Sequence, residues 1–158
     1  MKALVDWLER RGPVAVVGVG NPLRRDDGAG SWIAKGLAEL GSYSAFDAET
    51  VPENYLGVLL AVAPAAVLFI DAADGIGAPG ECRLAPMNAL APRPASTHAP
   101  SLALLAGVLE RHGIECGLLA IQPAATTTGI GLSPNVKRAA GQVLACLAAR
   151  LEEEAPRA

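Results

Sequence analysis

Short apolar runs alternate with amphipathic stretches along this chain. Residues 14–19 and 65–70 lack any charged or polar side chain, a pattern typical of strands buried on both faces of a parallel sheet. The predicted strands are 14–19, 43–48, 65–70, 81–84 and 118–121, and the predicted helices are 1–11, 28–40, 53–62, 102–111 and 133–151. This alternation predicts an α/β fold, a single domain with a doubly wound, mostly parallel sheet and helices on both faces.

Length and composition are consistent with one globular domain. The chain has 158 residues, of which 51% are hydrophobic and 18% charged, which excludes intrinsic disorder. We expect residues 1–151 to form the domain and residues 152–158 to be a frayed tail. A net charge of −3 argues against a nucleic-acid partner, for which a basic face is expected. The uncharged apolar stretch Asn54–Ile70 is divided by Pro64, so no membrane insertion is expected.

The cysteines and the first residues predict a cytoplasmic location. Cys82, Cys116 and Cys146 are far apart and form no C-x-x-C pair, which indicates small buried hydrophobic residues rather than disulfides or a zinc site. Residues 1–11 carry five charges and lack the apolar core of a signal peptide. A soluble cytoplasmic protein, and by default a monomer, is expected.

Parallel sheets bind ligands beyond the carboxyl ends of their strands, and four predicted loops lie there: 18–27, 47–53, 71–80 and 122–132. Gly18 and Gly20 after the first strand suggest a dinucleotide site, with Asp47 as the ribose-binding acid. A dinucleotide-binding turn passes directly into its helix, whereas here Pro22 and a polar loop intervene and the third glycine is absent. This disfavours the nucleotide hypothesis.

Acidic residues are the stronger candidates. Asp26 and Asp27 precede a predicted helix, where capping alone explains an aspartate. Asp71 ends an otherwise apolar strand, where a carboxylate is costly unless it is paired or binds a ligand. In a parallel sheet Asp27 and Asp71 are expected to project into the same crevice. For Asp74 a turn-stabilising role is favoured.

Histidine adds a possible third ligand. His98 stands just before a predicted helix, within reach of the sheet edge, although a surface or capping role is an equal alternative. His112, at a helix C-terminus, is explained by the helix dipole. Two carboxylates and one imidazole suit a divalent metal such as nickel, iron, manganese or zinc, with positions left open for water or substrate. The residues alone thus indicate at most a metal-dependent hydrolase.

Several segments in order resemble the hydrogenase maturation endopeptidases, and most closely the branch serving the hydrogenase of the formate hydrogenlyase complex. They are G-V-G-N-P-L-R-R-D-D-G-A-G at 18–30, V-P-E-N at 51–54, I-D-A-A-D-G-I-G-A-P-G-E at 70–81, S-T-H at 96–98 and I-Q-P at 121–123. The resemblance implies an enzyme that removes the C-terminal peptide of a nickel–iron hydrogenase large-subunit precursor after nickel insertion.

The resemblance also implies a ligand set. Asp27, Asp71 and His98 match the family's metal-binding residues, with Asp27 and Asp71 as the catalytic candidates. They would contact nickel supplied by the substrate, so no tightly bound resident cofactor is expected. Hydrolysis would use either nickel as a Lewis acid or an aspartate as base to a water. The sequence departs from the family pattern after the second predicted strand, in a segment expected to form one wall of the crevice. Many relatives have D-G-G there, and this chain has Asp47-Ala48-Glu49.

Two other functions remain open. A non-catalytic chaperone of the metallated large subunit would use the same residues. A peptidyl-tRNA hydrolase also begins with a motif like G-V-G-N-P, but that family needs a histidine shortly downstream, and none precedes His98. The sequence leaves open whether the proline-rich segment 86–94 is a lid or a plain connection.

Overall fold

The computed structural model describes residues 1–42, 44–87 and 98–154, with the side chains of 152–154 excepted. Its strands are β1 (Val14–Val19), β2 (Ala45–Glu49), β3 (Ala66–Ala72), β4 (Cys82–Pro86) and β5 (Glu115–Ile121). Its helices are α1 (Lys2–Glu9), α2 (Ala29–Glu39), α3 (Leu56–Val62), α4 (Ala99–Arg111) and α5 (Pro134–Glu154). Short 3-10 turns at Arg25–Gly28 and Pro52–Tyr55 precede α2 and α3.

The described strands form one sheet in the order β2-β1-β3-β5-β4. Neighbouring strands are parallel except for β4, which runs antiparallel to β5 at the edge. From β1 the chain moves outward to β2 and then returns to β3 on the other side of β1. The connections therefore diverge between β1 and β3, and a crevice opens beyond their carboxyl ends. The predicted fold class is confirmed.

Each face of the sheet carries its own apolar core, because successive strand residues point to opposite faces. On β1, Val14 and Val16 join the core under α1, α2 and α5, whereas Ala15 and Val17 join the core under α3 and α4. Every residue of β1 and β3 is buried, which explains why β1, and β3 up to Asp71, are continuous apolar runs in the sequence.

Two glycines bring α2 unusually close to the sheet. A Cβ on Gly30 would strike the carbonyl oxygens of Val19 and Ile70, and a Cβ on Gly18 would strike the carbonyl of Gly30. The first turn of α2 therefore rests directly on the ends of β1 and β3. Gly18 and Gly30 are therefore required for close packing of the backbone. This packing explains the glycine-rich motif without a bound nucleotide phosphate.

Several boundaries differ from the prediction. Strand β5 begins at Glu115, three residues before the predicted strand, since Glu115 to Gly117 pair with Ala66 to Leu68 of β3. Helix α5 continues to Glu154, into the segment expected to be a frayed tail. The predicted helix 53–62 is a 3-10 turn followed by α3. The segment 86–94 lies outside the described residues beyond Met87.

The expectation for the cysteines is only partly correct. Cys116 is buried, while Cys82 and Cys146 are half-buried, and all three thiols are free. Among the helices of the described segments, none combines the length and apolarity needed to cross a lipid bilayer.

Candidate active site

Asp71 and His98 meet at the carboxyl end of the sheet. Asp71 is the penultimate residue of β3 and only 1% exposed, and His98 is the N-terminal cap residue of α4 and 8% exposed. The Nδ1 atom of His98 lies 3.5 Å from Oδ1 of Asp71. The fold thus places a carboxylate and an imidazole from residues far apart in sequence side by side, away from bulk water.

The neighbouring acids control the charge of this histidine. Interaction with the Asp71 side chain raises the pKa of His98 above its ordinary value, although burial opposes the shift. The charges of Asp71 and Asp27 raise the pKa further. Asp27 is therefore within electrostatic reach of His98, and both acids stabilise the imidazolium form relative to the neutral ring.

Asp27 occupies the 3-10 turn between β1 and α2 and is nearly buried. Its Oδ2 atom accepts a hydrogen bond of 2.9 Å from the backbone N–H of Asn21. Gly28 is the N-terminal cap residue of α2, and no side chain makes a capping hydrogen bond there. Capping of α2 therefore does not explain Asp27, which instead closes the loop that follows β1.

The described residues do not form a complete metal cage. Across residues 1–42, 44–87 and 98–154, no group of three or more His, Cys, Asp or Glu side chains is close enough to hold a metal ion. Asp71 and His98 are the two donors in direct proximity, with Asp27 at longer range.

Asp26, which sequence reasoning treated only as a helix cap, anchors the loop between β5 and α5. Its buried carboxylate accepts hydrogen bonds from the backbone N–H groups of Ala124, Ala125 and Ser133, at 2.9, 2.9 and 2.6 Å, and from the Ser133 hydroxyl at 2.7 Å. Burial alone would raise the pKa of Asp26, but these donors outweigh it and lower the pKa. Asp26 and Asp27, although adjacent in the motif, thus have different surroundings and different hydrogen-bond partners.

Gln122, at the end of β5, orders the loop that follows Asp71. Its Oε1 atom accepts a hydrogen bond from the N–H of Ile76 at 2.9 Å, and its Nε2 atom donates to Asp74 at 3.1 Å. Asp74 therefore links its loop to β5. The I-Q-P segment marked this position in the sequence, but only the fold shows what the amide holds.

The fold of this chain matches that of several solved structures. The chain is similar to the NiFe hydrogenase maturation protease HycI from Thermococcus kodakarensis KOD1, with 28% identity and a TM-score of 0.85, over 95% of this chain and 99% of that one. It is also similar to the endopeptidase HycI from Escherichia coli, with 25% identity and a TM-score of 0.74, over 87% and 90% of the two chains. The chain resembles the hydrogenase maturation proteases over nearly its whole length.

A third structure extends the likeness in fold. The hydrogenase maturating endopeptidase HybD from Escherichia coli matches with 24% identity and a TM-score of 0.72, over 90% of this chain and 94% of that one. No family model matches the sequence. No curated protein matches it either.

At the end of β2, where the sequence departs from the D-G-G pattern of many relatives, the backbone keeps a conformation that favours glycine. Glu49 stands where that pattern has its second glycine, and it adopts a φ of 46°, in the left-handed region that glycine occupies without strain. The carbonyl of Glu49 accepts a hydrogen bond of 2.7 Å from the N–H of Gly20, which ties this residue to the end of β1. The backbone course thus suits glycine, although the side chain is a glutamate.

Proposed function

We propose that this protein is an endopeptidase of the formate-hydrogenlyase-type branch, acting as a monomer in the cytoplasm. It removes the C-terminal peptide of a nickel–iron hydrogenase large-subunit precursor after nickel insertion, and the substrate's nickel is its recognition signal. The likeness to HycI of Thermococcus kodakarensis over 95% of the chain supports the peptidase and its partner.

The observation that carries the proposal is the Asp71–His98 pair at the divergence between β1 and β3. A buried carboxylate and imidazole, 3.5 Å apart, are borderline-metal ligands. Asp71 and His98, with Asp27 nearby, complete the coordination of a nickel ion that the precursor already coordinates in part. The scissile peptide then lies in the crevice beside Asp27 and Asp71.

Peptide hydrolysis needs an activated water and a stabilised carbonyl oxygen. Either the substrate's nickel polarises the carbonyl, or Asp27 or Asp71 takes a proton from the attacking water. A cysteine nucleophile is disfavoured because burial raises the pKa of all three thiols, that of Cys116 to about 12. A thiol that stays protonated is a poor nucleophile.

The test is a cleavage assay on the partner large-subunit precursor, with and without nickel, read by intact mass. We expect the C-terminal peptide to be lost only from the nickel-loaded precursor. Asp27→Asn, Asp71→Asn and His98→Gln should each abolish cleavage, while Asp6→Asn, on an exposed face of α1, should cleave at the wild-type rate. Thermal melting establishes that the inactive variants are folded.

Each alternative outcome has a definite meaning. Cleavage without nickel would retain the peptidase and remove the nickel role of Asp27, Asp71 and His98. A loaded precursor that binds with its mass unchanged would instead indicate a chaperone.

A further inference from the structure

A small cleft opens next to the 3-10 turn that carries Asp27. It has a volume of about 180 Å³ and lies between the first turns of α2 and the loop that leads into α5. Its lining includes Pro22, Arg25, Trp32, Lys35, Ile130 and Leu132. None of these side chains belongs to the proposed catalytic group.

Large apolar side chains are exposed around this cleft. Ile130 is 84% exposed and Trp32 is 37% exposed, and both line it, while Leu23, next to the lining residue Pro22, is 61% exposed. Isolated exposed apolar residues are common, but three around one concavity mark an interaction surface. We call Leu23, Trp32 and Ile130, with the cleft between them, the rim surface.

The two loops that form the rim surface are held together before any partner binds. The N–H of Gly129 donates to the carbonyl of Leu23 at 2.9 Å, and the N–H of Arg25 donates to the carbonyl of Gly129 at 3.0 Å. The four hydrogen bonds to Asp26 fix the same loop at Ala124, Ala125 and Ser133. A preformed surface loses little conformational entropy on binding.

The rim surface is continuous with the candidate active site. The Asp27 carboxylate accepts its hydrogen bond from Asn21, the residue before Pro22, and Gly28, the residue after Asp27, also lines the cleft. The cleft therefore borders the loop that carries Asp27. This proximity favours the protein substrate as the occupant.

Charge defines the occupant further. Arg25 and Lys35 line the cleft, and none of its described lining residues is acidic, although the whole chain has a net charge of −3. Lys35 also lies 3.4 Å from Asp47, so Arg25 is the main cation offered to a partner. An apolar side chain flanked by a carboxylate complements this lining.

We propose that the rim surface docks an apolar, carboxylate-bearing segment of the protein substrate beside the scissile peptide. This inference rests on the proposed function for the identity of the substrate. Because the rim residues hold the precursor and take no part in the chemistry, they contribute to substrate and transition-state binding equally. Such contacts affect KM and leave kcat unchanged.

The first experiment compares Ile130→Ser with a matched control, Leu104→Ser, whose leucine is 75% exposed on α4. With the nickel-loaded precursor, Ile130→Ser should raise KM roughly tenfold at unchanged kcat, and Leu104→Ser should change neither. Leu23→Ser repeats the test on the other loop. Arg25→Gln should raise KM and weaken its dependence on salt. An unchanged KM in Ile130→Ser and Leu23→Ser overturns the proposal.

A binding assay separates this proposal from the proposed function. The affinity of the loaded precursor is measured for Asp71→Asn with and without Ile130→Ser. Weaker binding of the double variant supports the rim surface even if the wild-type protein cleaves nothing, an outcome that would remove the peptidase alone. If Ile130→Ser instead abolishes self-association in sedimentation and leaves precursor binding unchanged, the surface serves a second copy of the chain and the proposal is wrong.

Discussion

Asp26 and Ser133 are 107 positions apart and are joined by two hydrogen bonds. The backbone N–H of Ser133 donates to Oδ1 at 2.6 Å and its hydroxyl donates to Oδ2 at 2.7 Å. Ser133 immediately precedes α5, so Asp26 fixes the start of that helix as well as the loop before it. The loop after β1 and the loop after β5 are thereby connected at the carboxyl end of the sheet, where Asp27 and Asp71 lie.

The first prediction concerns this anchor. Asp26→Asn replaces one acceptor oxygen by an N–H₂ group that faces backbone donors, and it should lower the free energy of unfolding by about 3 kcal/mol. Urea denaturation measures the loss. Asp6→Asn, an exposed carboxylate on α1, is the control and should change stability little. A loss below about 1 kcal/mol for Asp26→Asn would show that the four hydrogen bonds add little to stability.

The second prediction follows from the lowered pKa of Asp26. A carboxyl group whose pKa is lower in the folded state stabilises the fold above its unfolded pKa and loses that contribution as the pH falls through the folded pKa. The difference in unfolding free energy between wild type and Asp26→Asn should therefore be full at neutral pH and shrink below about pH 4. Parallel denaturation series at several pH values measure it. A difference that is independent of pH would contradict the role of the charge.

The fold could be predicted because its strands are almost fully buried. Burial on both faces makes β1 a run of apolar residues, and its predicted bounds, 14–19, match the structure. The pattern was weaker for β5, where the exposed Glu115 and the small Gly117 hid the first half of the strand. Pairing with β3 sets the residue at which β5 begins. The local sequence pattern carries no signal for this pairing.

The candidate site was predicted less completely than the fold. The register of a parallel sheet brings the ends of β1 and β3 together, so an acid in the loop after β1 and an acid at the end of β3 are expected to lie near each other. The distance between His98 and Asp71 depends on the start of α4, which the sequence pattern placed too late. The role of Asp26 was missed because its donors are backbone groups of Ala124, Ala125 and Ser133, and backbone donors leave no trace in side-chain patterns.

The third prediction tests the close packing of α2 on the sheet. Gly30→Ala would bring a methyl group onto the carbonyl oxygens of Val19 and Ile70 and should cost about 3 kcal/mol. Gly141→Ala is the matched control in α5, since a Cβ there meets no atom within 4 Å, and it should add about 0.5–1 kcal/mol because alanine favours helix. Thermal or urea unfolding of both variants checks the opposite signs. Equal effects would exclude the clash.

The fourth prediction concerns Gln122. Gln122→Glu keeps the oxygen that accepts from Ile76 but replaces the N–H₂ donor with a second oxygen facing Asp74, so the loop after Asp71 should loosen. Hydrogen exchange of the Ile76 amide should accelerate about tenfold or more, which corresponds to roughly 1.4 kcal/mol. Exchange of the Leu119 amide, in the middle of β5, is the internal control. If both amides change together, the substitution has destabilised the whole fold.

The last prediction concerns the metal. Because Asp71 and His98 are the donors in direct contact and Asp27 acts at longer range, the isolated protein should hold free nickel weakly, whereas nickel already bound in the precursor needs only these few ligands. Protein that is treated with a chelator and then freed of it should cleave the loaded precursor at the untreated rate. A precursor that a chelator has kept free of nickel should not be cleaved. In a nickel titration of the protein alone, His98→Gln serves as the blank. Stoichiometric nickel that survives dialysis on the isolated wild-type protein would mean that the metal is a resident cofactor, and the substrate would then be recognised in another way.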